Sequence, residues 1–408
     1  MIPDEARPRL RPVEAFPVEA EGRKAVAIRD PSGITDSVLV VSPETIFVLS
    51  CFDGRNTLRD VQAACARKFG EIVPLDQIRA LAEAIDTALM LDSETFRAKV
   101  AEIESAFRAS PVRPAVHAGG AYEGDPDLLR EGLARLLSAA PARPRAMGKI
   151  VGLIAPHIDL HRGGEGYGAA YAALAGDRDA TTFVVLGTAH QAPPEMYVAT
   201  RKAYATPLGD VPAATDLLDA IAAILGDRIY REELVHRKEH SIEFQAVWLR
   251  HLFPDRPIRI VPILCSSFHE LIASGEEPIA DARISEFVAA LREAIRGRQD
   301  VMLIAGADLA HLGTRFGDPR AVSEADAASC ELADRAALDA VARRDAGAFF
   351  RGIDDEGDRR RVCGISAIYT FLEALPGPAR GTLLHYGQAL DEEATTFVSF
   401  ASMAFTAP

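Results

Sequence analysis

From residue 149 onward the chain is dominated by apolar runs: KIVGLIAPH (149 to 157), TTFVVLGTAH (181 to 190), IRIVPILC (258 to 265) and DVMLIAGAD (300 to 308). Each is nearly continuous in β-branched and aliphatic residues, which suits a strand covered on both faces. Between them lie the helical stretches AATDLLDAIAAIL (213 to 225), HSIEFQAVWLRHLF (240 to 253) and ISEFVAALREAI (284 to 295). Strand alternating with helix predicts an α/β unit around a doubly wound, mostly parallel sheet. A late pair, GTLLHYGQA and TTFVSFASMAF, supplies two more strands. Such a sheet presents ligands and reactive groups at the carboxyl ends of its strands.

Those ends carry polar and sulfur residues: His157, His190, Asp308 with His311, and later Cys363. Two imidazoles and a thiolate form a borderline-soft donor set suited to iron, copper or zinc. His157, in APHIDLHRGGEGYG, reads equally as a hydrogen-bonded loop residue when taken alone; the glycines after it leave room for a ligand or a close backbone approach. His161 joins it only if that loop is helical. The spacing is not a dinucleotide fingerprint. His190, in VVLGTAHQ, repeats the placement one β–α unit on, and this lifts the ligand reading above chance. Asp308 is placed to fix the tautomer of a neighbouring histidine, with a helix cap as its competitor, while His311, titrating near neutrality, suits a general base. In EHSIEFQAVWL, His240 and Glu243 stand three apart, on one face if the segment is helical. An acid/base or supporting role is expected for His240, against plain capping or pairing beside Arg237 and Lys238. Cys363, in RRVCGISAIYTFLEAL, opens a helix beside Arg359, Arg360 and Arg361, and positive field plus helix dipole predict a lowered thiol pKa. Cys265 is its rival.

The 408 residues carry a formal charge of −14, which disfavours nucleic acid or an anionic membrane as the main partner. Small molecules or proteins remain. No apolar run approaches the roughly 20 residues that span a bilayer, and MIPDEARPRLRP has no apolar signal core, so the expected location is cytoplasmic. Five cysteines without a CxxC pair argue against a disulfide framework. Proline and glycine in ASPVRPAVHAGG place a break near residue 110, dividing an accessory domain (1–110) from the α/β domain (111–408). In the first part, SVLVVSP leads into the helical patterns ETIFVLSCF, LRDVQAACARKF and LDQIRALAEAIDTALML, a small α+β unit of winged-helix character. Through SPETIFVLSCFDGRNTLRDV and the long helix ending ALMLD, the segment from Phe16 to Leu91 resembles PqqD-like peptide-recognition domains. A plain helical accessory domain is the other reading.

HAGGAYEGDPDLLREGLARLL, IAPHIDLHRGG, LGTAHQ, YATPLGD, EHSIEFQAVWL, GADLAHLG and VCGISAIYTFLEAL occur in the order found in Memo proteins. Over about residues 115 to 405 the chain resembles the Memo family, and within it the AmmeMemoRadiSam system protein B group. The resemblance implies a fold of the class III extradiol dioxygenase type. It also implies metal ligands at His157, His190 and Cys363, with Asp308, His311 and His240 as catalytic or supporting groups. Three departures stand out: APHIDLHR replaces APHAGY, GGAY with Ala121 replaces GSWY, and CGISA replaces CGRHP. They leave the pocket wall and the surroundings of Cys363 open. The leading expectation is a metal-dependent redox protein, non-haem iron or copper, of dioxygenase-like type. Its partners would be a radical SAM protein and an AMMECR-type protein. The alternatives are a non-catalytic module binding a peptide or partner, and zinc-assisted hydrolysis.

Overall fold

The computed structural model describes residues 2–20, 22–141, 148–177, 179–272 and 274–407. The chain divides into two compact units, Met1–Ala109 and Ser110–Pro408.

In the first unit, β1 (Glu14–Ala20), β2 (Arg23–Arg29) and β3 (Val38–Val41) form an antiparallel sheet in that order. Helices α1 (Pro43–Ser50), α2 (Leu58–Phe69), α3 (Leu75–Thr87) and α4 (Glu94–Ala109) follow. Their ends are written locally. Ser42 caps α1, Thr57 and Asp60 form a reciprocal capping box on α2, and Gly70 closes α2 at φ 78°. Leu58, Val61 and Cys65 of α2 meet Ile78, Ala82 and Ile85 of α3 in the core, each set at helical spacing.

The second unit runs β4 (Val112–Arg113), α5 (Pro126–Ala139), β5 (Ile150–Ala155), α6 (Leu160–Leu174), β6 (Thr182–Thr188), β7 (Tyr197–Ala199) and β8 (Ala203–Tyr204). It continues through α7 (Thr215–Leu225), α8 (Glu243–Leu252), β9 (Arg259–Cys265), α9 (Ala282–Ala294), β10 (Val301–Gly306) and β11 (Asp308–Leu312). It ends with α10 (Glu324–Ala342), α11 (Ala346–Asp354), α12 (Ile365–Ala374), β12 (Arg380–Leu390) and β13 (Phe397–Thr406). An eight-stranded mixed sheet has the order β11-β13-β5-β10-β6-β9-β7, with β12 also on β13. The parallel strands form its centre, β5-β10-β6-β9; β13 and β7 join them antiparallel, and β11 and β12 pair antiparallel with β13. Alternate strand residues enter two separate cores. Val184 and Leu186 face one, with α7, α9, α11 and α12, and Phe183 and Val185 face the other, with α5, α6 and α8. Both faces are therefore covered, which is why the strand sequences lack a polar alternation. The glycines after His157 lie inside α6 and not in a loop. A Cβ on Gly168 would stand 2.6 Å from the Leu136 carbonyl oxygen, so small residues there let α5 and α6 approach. Among the described residues no helix is long and apolar enough to cross a membrane.

Candidate metal centre

The chain leaving β10 crosses the end of β5 before turning into β11, with the Ala307 amide on the Ala155 carbonyl at 2.9 Å. That crossing assembles the first half of the site. The Asp308 carboxylate accepts the His157 amide at 2.9 Å, and His157 Nδ1 donates to the Gly306 carbonyl at 2.9 Å. A carbonyl can only accept, so Nδ1 carries the proton and Nε2 is left as a bare lone pair. It points to Cys363 Sγ, 3.3 Å away. The cysteine is hung on β11 by its own amide to the Leu309 carbonyl at 3.3 Å and by the Gly364 amide to the Asp308 carbonyl at 3.2 Å. Only glycine fits at 364, since a Cβ would lie 2.4 Å from the Asp308 oxygen.

The second half begins where β6 ends. The amide of Ala189 bonds to the Cys265 carbonyl at 2.9 Å, delivering His190 to the same edge. Glu239 accepts both the His190 amide, at 2.9 Å, and Nδ1, at 3.1 Å, and this turns Nε2 of His190 towards the first half. The His157 and His190 rings lie 5.0 Å apart, nearly perpendicular. Ligand atoms of His157, His190 and Cys363 all fall within 4.8 Å of one another. His240 stacks on His190 at 4.7 Å and stands edge-on to His157 at 5.4 Å.

The Memo-like family model matches residues 113–404, which contain every one of these groups. The chain belongs to the Memo family. It is 26% identical to a MEMO1 family protein of Aquifex aeolicus over 96% of this chain and 99% of that one. It is 31% identical to a MEMO1 family protein of Thermus thermophilus over 65% of this chain and 74% of the relative. A MEMO1 family protein of Archaeoglobus fulgidus is 27% identical, with 71% of this chain matching 97% of its length. The Aquifex match is long enough to include a region equivalent to the first unit.

The electrostatics of this Memo chain differ from the sequence expectation in four ways. Burial pushes the Cys363 thiol well above its ordinary range, and Asp308 adds to the effect. The neighbouring arginines do not counter it: Arg360 pairs with Asp334 and Glu356, Arg361 with Asp318, and Arg359 bonds to the Glu356 carbonyl. Helix α12 starts two residues after the cysteine, too late to cradle the sulfur. His311 does not titrate near neutrality; burial lowers it to about 4 against the pull of Asp308. Its Nδ1 donates to the Leu309 carbonyl at 3.1 Å, so Nε2 is an acceptor. Asp308 fixes no tautomer: it holds the His157 amide, while Gly306 sets the ring, and burial raises Asp308 to about 6. Lastly, His240 and Glu243 do not share a helical face, because α8 begins only at Glu243.

Glu243 is fully buried and held by Arg113, the Tyr122 hydroxyl and the His117 amide, the last at 3.0 Å. The carboxylate that touches the imidazoles is Glu239, which the sequence reading passed over. Burial alone would raise it, but His190 and His240 hold it well below the ordinary carboxylate range. In return Glu239 outweighs burial and raises His190. The His157 ring lacks such a carboxylate hydrogen bond among the described residues, its Nε2 standing 3.6 Å from the Asp308 carboxylate, and burial takes it to about 3. Burial likewise lowers His240. His161 falls on α6 but is exposed, away from the cluster, and Cys265 is buried at the end of β9, where burial raises its thiol. Ala121 lies partly buried against the second core, its carbonyl accepting the Leu160 amide at 3.1 Å.

Proposed function

We propose that His157 Nε2, His190 Nε2 and Cys363 Sγ hold one redox-active metal ion, iron(II) or copper, and that the protein is a dioxygenase-like, metal-dependent oxidoreductase. One observation carries this reading. Three lone-pair donors, two from the ends of β5 and β6 and one from the turn before α12, lie within 4.8 Å of one another while the proton of each imidazole is engaged on its far side. The donor set fits such an ion. A partly buried thiol beside two imidazole acceptors has nothing but its own proton to offer them, whereas a cation satisfies all three. When bound, the ion supplies Lewis acidity and one-electron redox chemistry.

The remaining residues do the protein's part. Cys363 gives up its proton as a ligand, and Asp308 locks the amide of His157 so that the ring cannot drift. His240, 29% exposed, lies over both ligand imidazoles where a small molecule would arrive. His311, neutral and with Nε2 free to accept, can take a proton from a bound hydroxyl group. Anaerobic purification followed by metal analysis tests the reading. Wild type should carry a stoichiometric equivalent of iron or copper, and Cys363→Ser and His190→Ala should fall to background. Unchanged content in either variant defeats it. Zinc alone in wild type replaces redox chemistry with metal-assisted hydrolysis.

For the first unit we propose the PqqD-like, winged-helix reading, in which it recruits a peptide or a radical SAM protein, with an AMMECR-type protein as a further partner. What supports it is the edge position of β3, where Val38 and Val40 are 54% and 55% exposed and an extended peptide can add as a strand. Binding of a radical SAM partner that survives His157→Ala separates this role from the metal centre.

A further inference from the structure

The segment EHSIE carries two carboxylates, and only one of them addresses the metal centre. Glu239 is 5% exposed, and N–H groups converge on its two oxygens: His190 N at 2.9 Å, His190 Nδ1 at 3.1 Å, His240 N at 2.8 Å and Ser241 N at 3.1 Å. A ligand atom each from His190, Glu239 and His240 also lie within 4.8 Å of one another, so direct ligation of an ion by Glu239 has to be weighed. The hydrogen bonds decide against it. Their donors occupy the lone pairs that a ligand would have to offer, and three of the four are backbone amides that cannot turn aside.

The geometry points instead to an orienting task. Glu239 grips His190 at two places, the main chain and the far ring nitrogen, so the ring can neither swing nor exchange tautomers. The loop that bears Glu239 is itself pinned. Arg113 donates to the carbonyls of His236, at 2.9 Å, and Glu239, at 2.7 Å. Gly187 admits Ser241 to the end of β6, where a Cβ would stand 2.5 Å from the serine oxygen. The two halves of the site thus differ. His157 donates to a neutral carbonyl and His190 to an anion, and an anionic acceptor makes an imidazole the stronger electron donor to a cation.

We propose that Glu239 is the positioning residue of the metal centre, fixing the ring angle and tautomer of His190 and, through its charge, setting how strongly that imidazole binds the ion. This rests on the reading of His157, His190 and Cys363 as ligands. Anaerobic Co(II) titration of the full chain tests both, because thiolate-to-Co(II) charge transfer reports Cys363 and the d–d bands report the ligand field. Wild type should take up a single equivalent with both signatures. Glu239→Gln keeps the size and one acceptor oxygen but removes the charge and the second acceptor; it should bind about 10–100-fold more weakly with the charge-transfer band retained and the d–d bands shifted. An affinity and spectrum indistinguishable from wild type overturn the proposal. So does a second Co(II) equivalent in wild type that vanishes in Glu239→Gln, since Glu239 is then a ligand. If wild type lacks the thiolate band and Cys363→Ser binds alike, the ligand assignment fails, taking the proposal with it by a different signature. A measurement that needs no variant covers misfolding: nitrogen-15 spectra of histidine in the Zn(II)-loaded wild type should show His190 protonated at Nδ1 and metallated at Nε2, and the reverse tautomer overturns the proposal.

Discussion

Two polar clusters meet at the loop 236–243, one fully buried and one partly open to solvent, and they are wired in opposite ways. Around Arg113, donors meet acceptors: the guanidinium bonds to the carbonyls of Pro114, His236 and Glu239 and to the Glu243 carboxylate, which in turn receives Tyr122 and the His117 amide. Around His157, His190 and Cys363 the N–H groups are turned outward to Gly306 and Glu239, and electron pairs face one another. The first cluster is complete without a guest. The second has one thiol proton to share among its acceptors. Polar groups therefore do two different things around one loop: in one cluster, a clamp, charges cancel, and in the other acceptors face one another, the arrangement on which the proposed metal site rests.

The contrast can be broken by experiment. The largest effect should come from Glu243→Ala, which strands the Arg113 charge in the interior and should cost about 3–5 kcal/mol in chemical denaturation. Metal content of the folded fraction should stay at the wild-type level; its loss would show that the clamp and the centre are one unit.

Acid should act on both clusters. His157 and His236 are lowered to about 3, mainly by burial, and His311 to about 4, while each takes up a proton near its ordinary value once unfolded. Between about pH 6.5 and 4 the unfolded chain binds more protons, so metal-free protein should lose stability on the order of a few kcal/mol as pH falls through that window. Asp308, raised to about 6, opposes this only between its ordinary range and 6, because there the folded state holds the extra proton. Asp308→Asn should accordingly steepen the acid slope, measured as denaturation midpoint against pH.

Smaller effects sharpen the same point. Cys363→Ala, in metal-free protein, removes a partly buried thiol and its 3.3 Å contact with His157 Nε2 and should cost about 1 kcal/mol. The smallest is His161→Ala, on the exposed side of α6, which should stay within about 0.5 kcal/mol and leave metal content alone.

Much of the main fold could be read directly. The apolar runs become β5, β6, β9 and β10, and the late pair becomes β12 and β13, because burial on both faces leaves an unbroken signature in one dimension. His157 and His190 were visible for a related reason: a polar residue just past such a run must stand at the sheet edge, whereas Cys363 stands in the turn before α12 and reaches that edge through β11. The helix patterns of the first unit fall on α1, α2 and α3, where caps and turn residues are neighbours in sequence. The antiparallel flanks were not visible, since strand direction depends on how the chain returns and not on what the strand contains.

What the sequence determined by itself was which residues reach the strand ends, for that needs only periodicity and the places where it stops. Partnership was decided by the tertiary structure. Arg113 arrives from far up the chain to capture Glu243, α8 starts too late to pair His240 with it, and the arginines beside Cys363 are drawn off to Asp334, Glu356 and Asp318. Hydrogen bonds and charge act over a few ångströms in space, and no local pattern records which distant residue will occupy them.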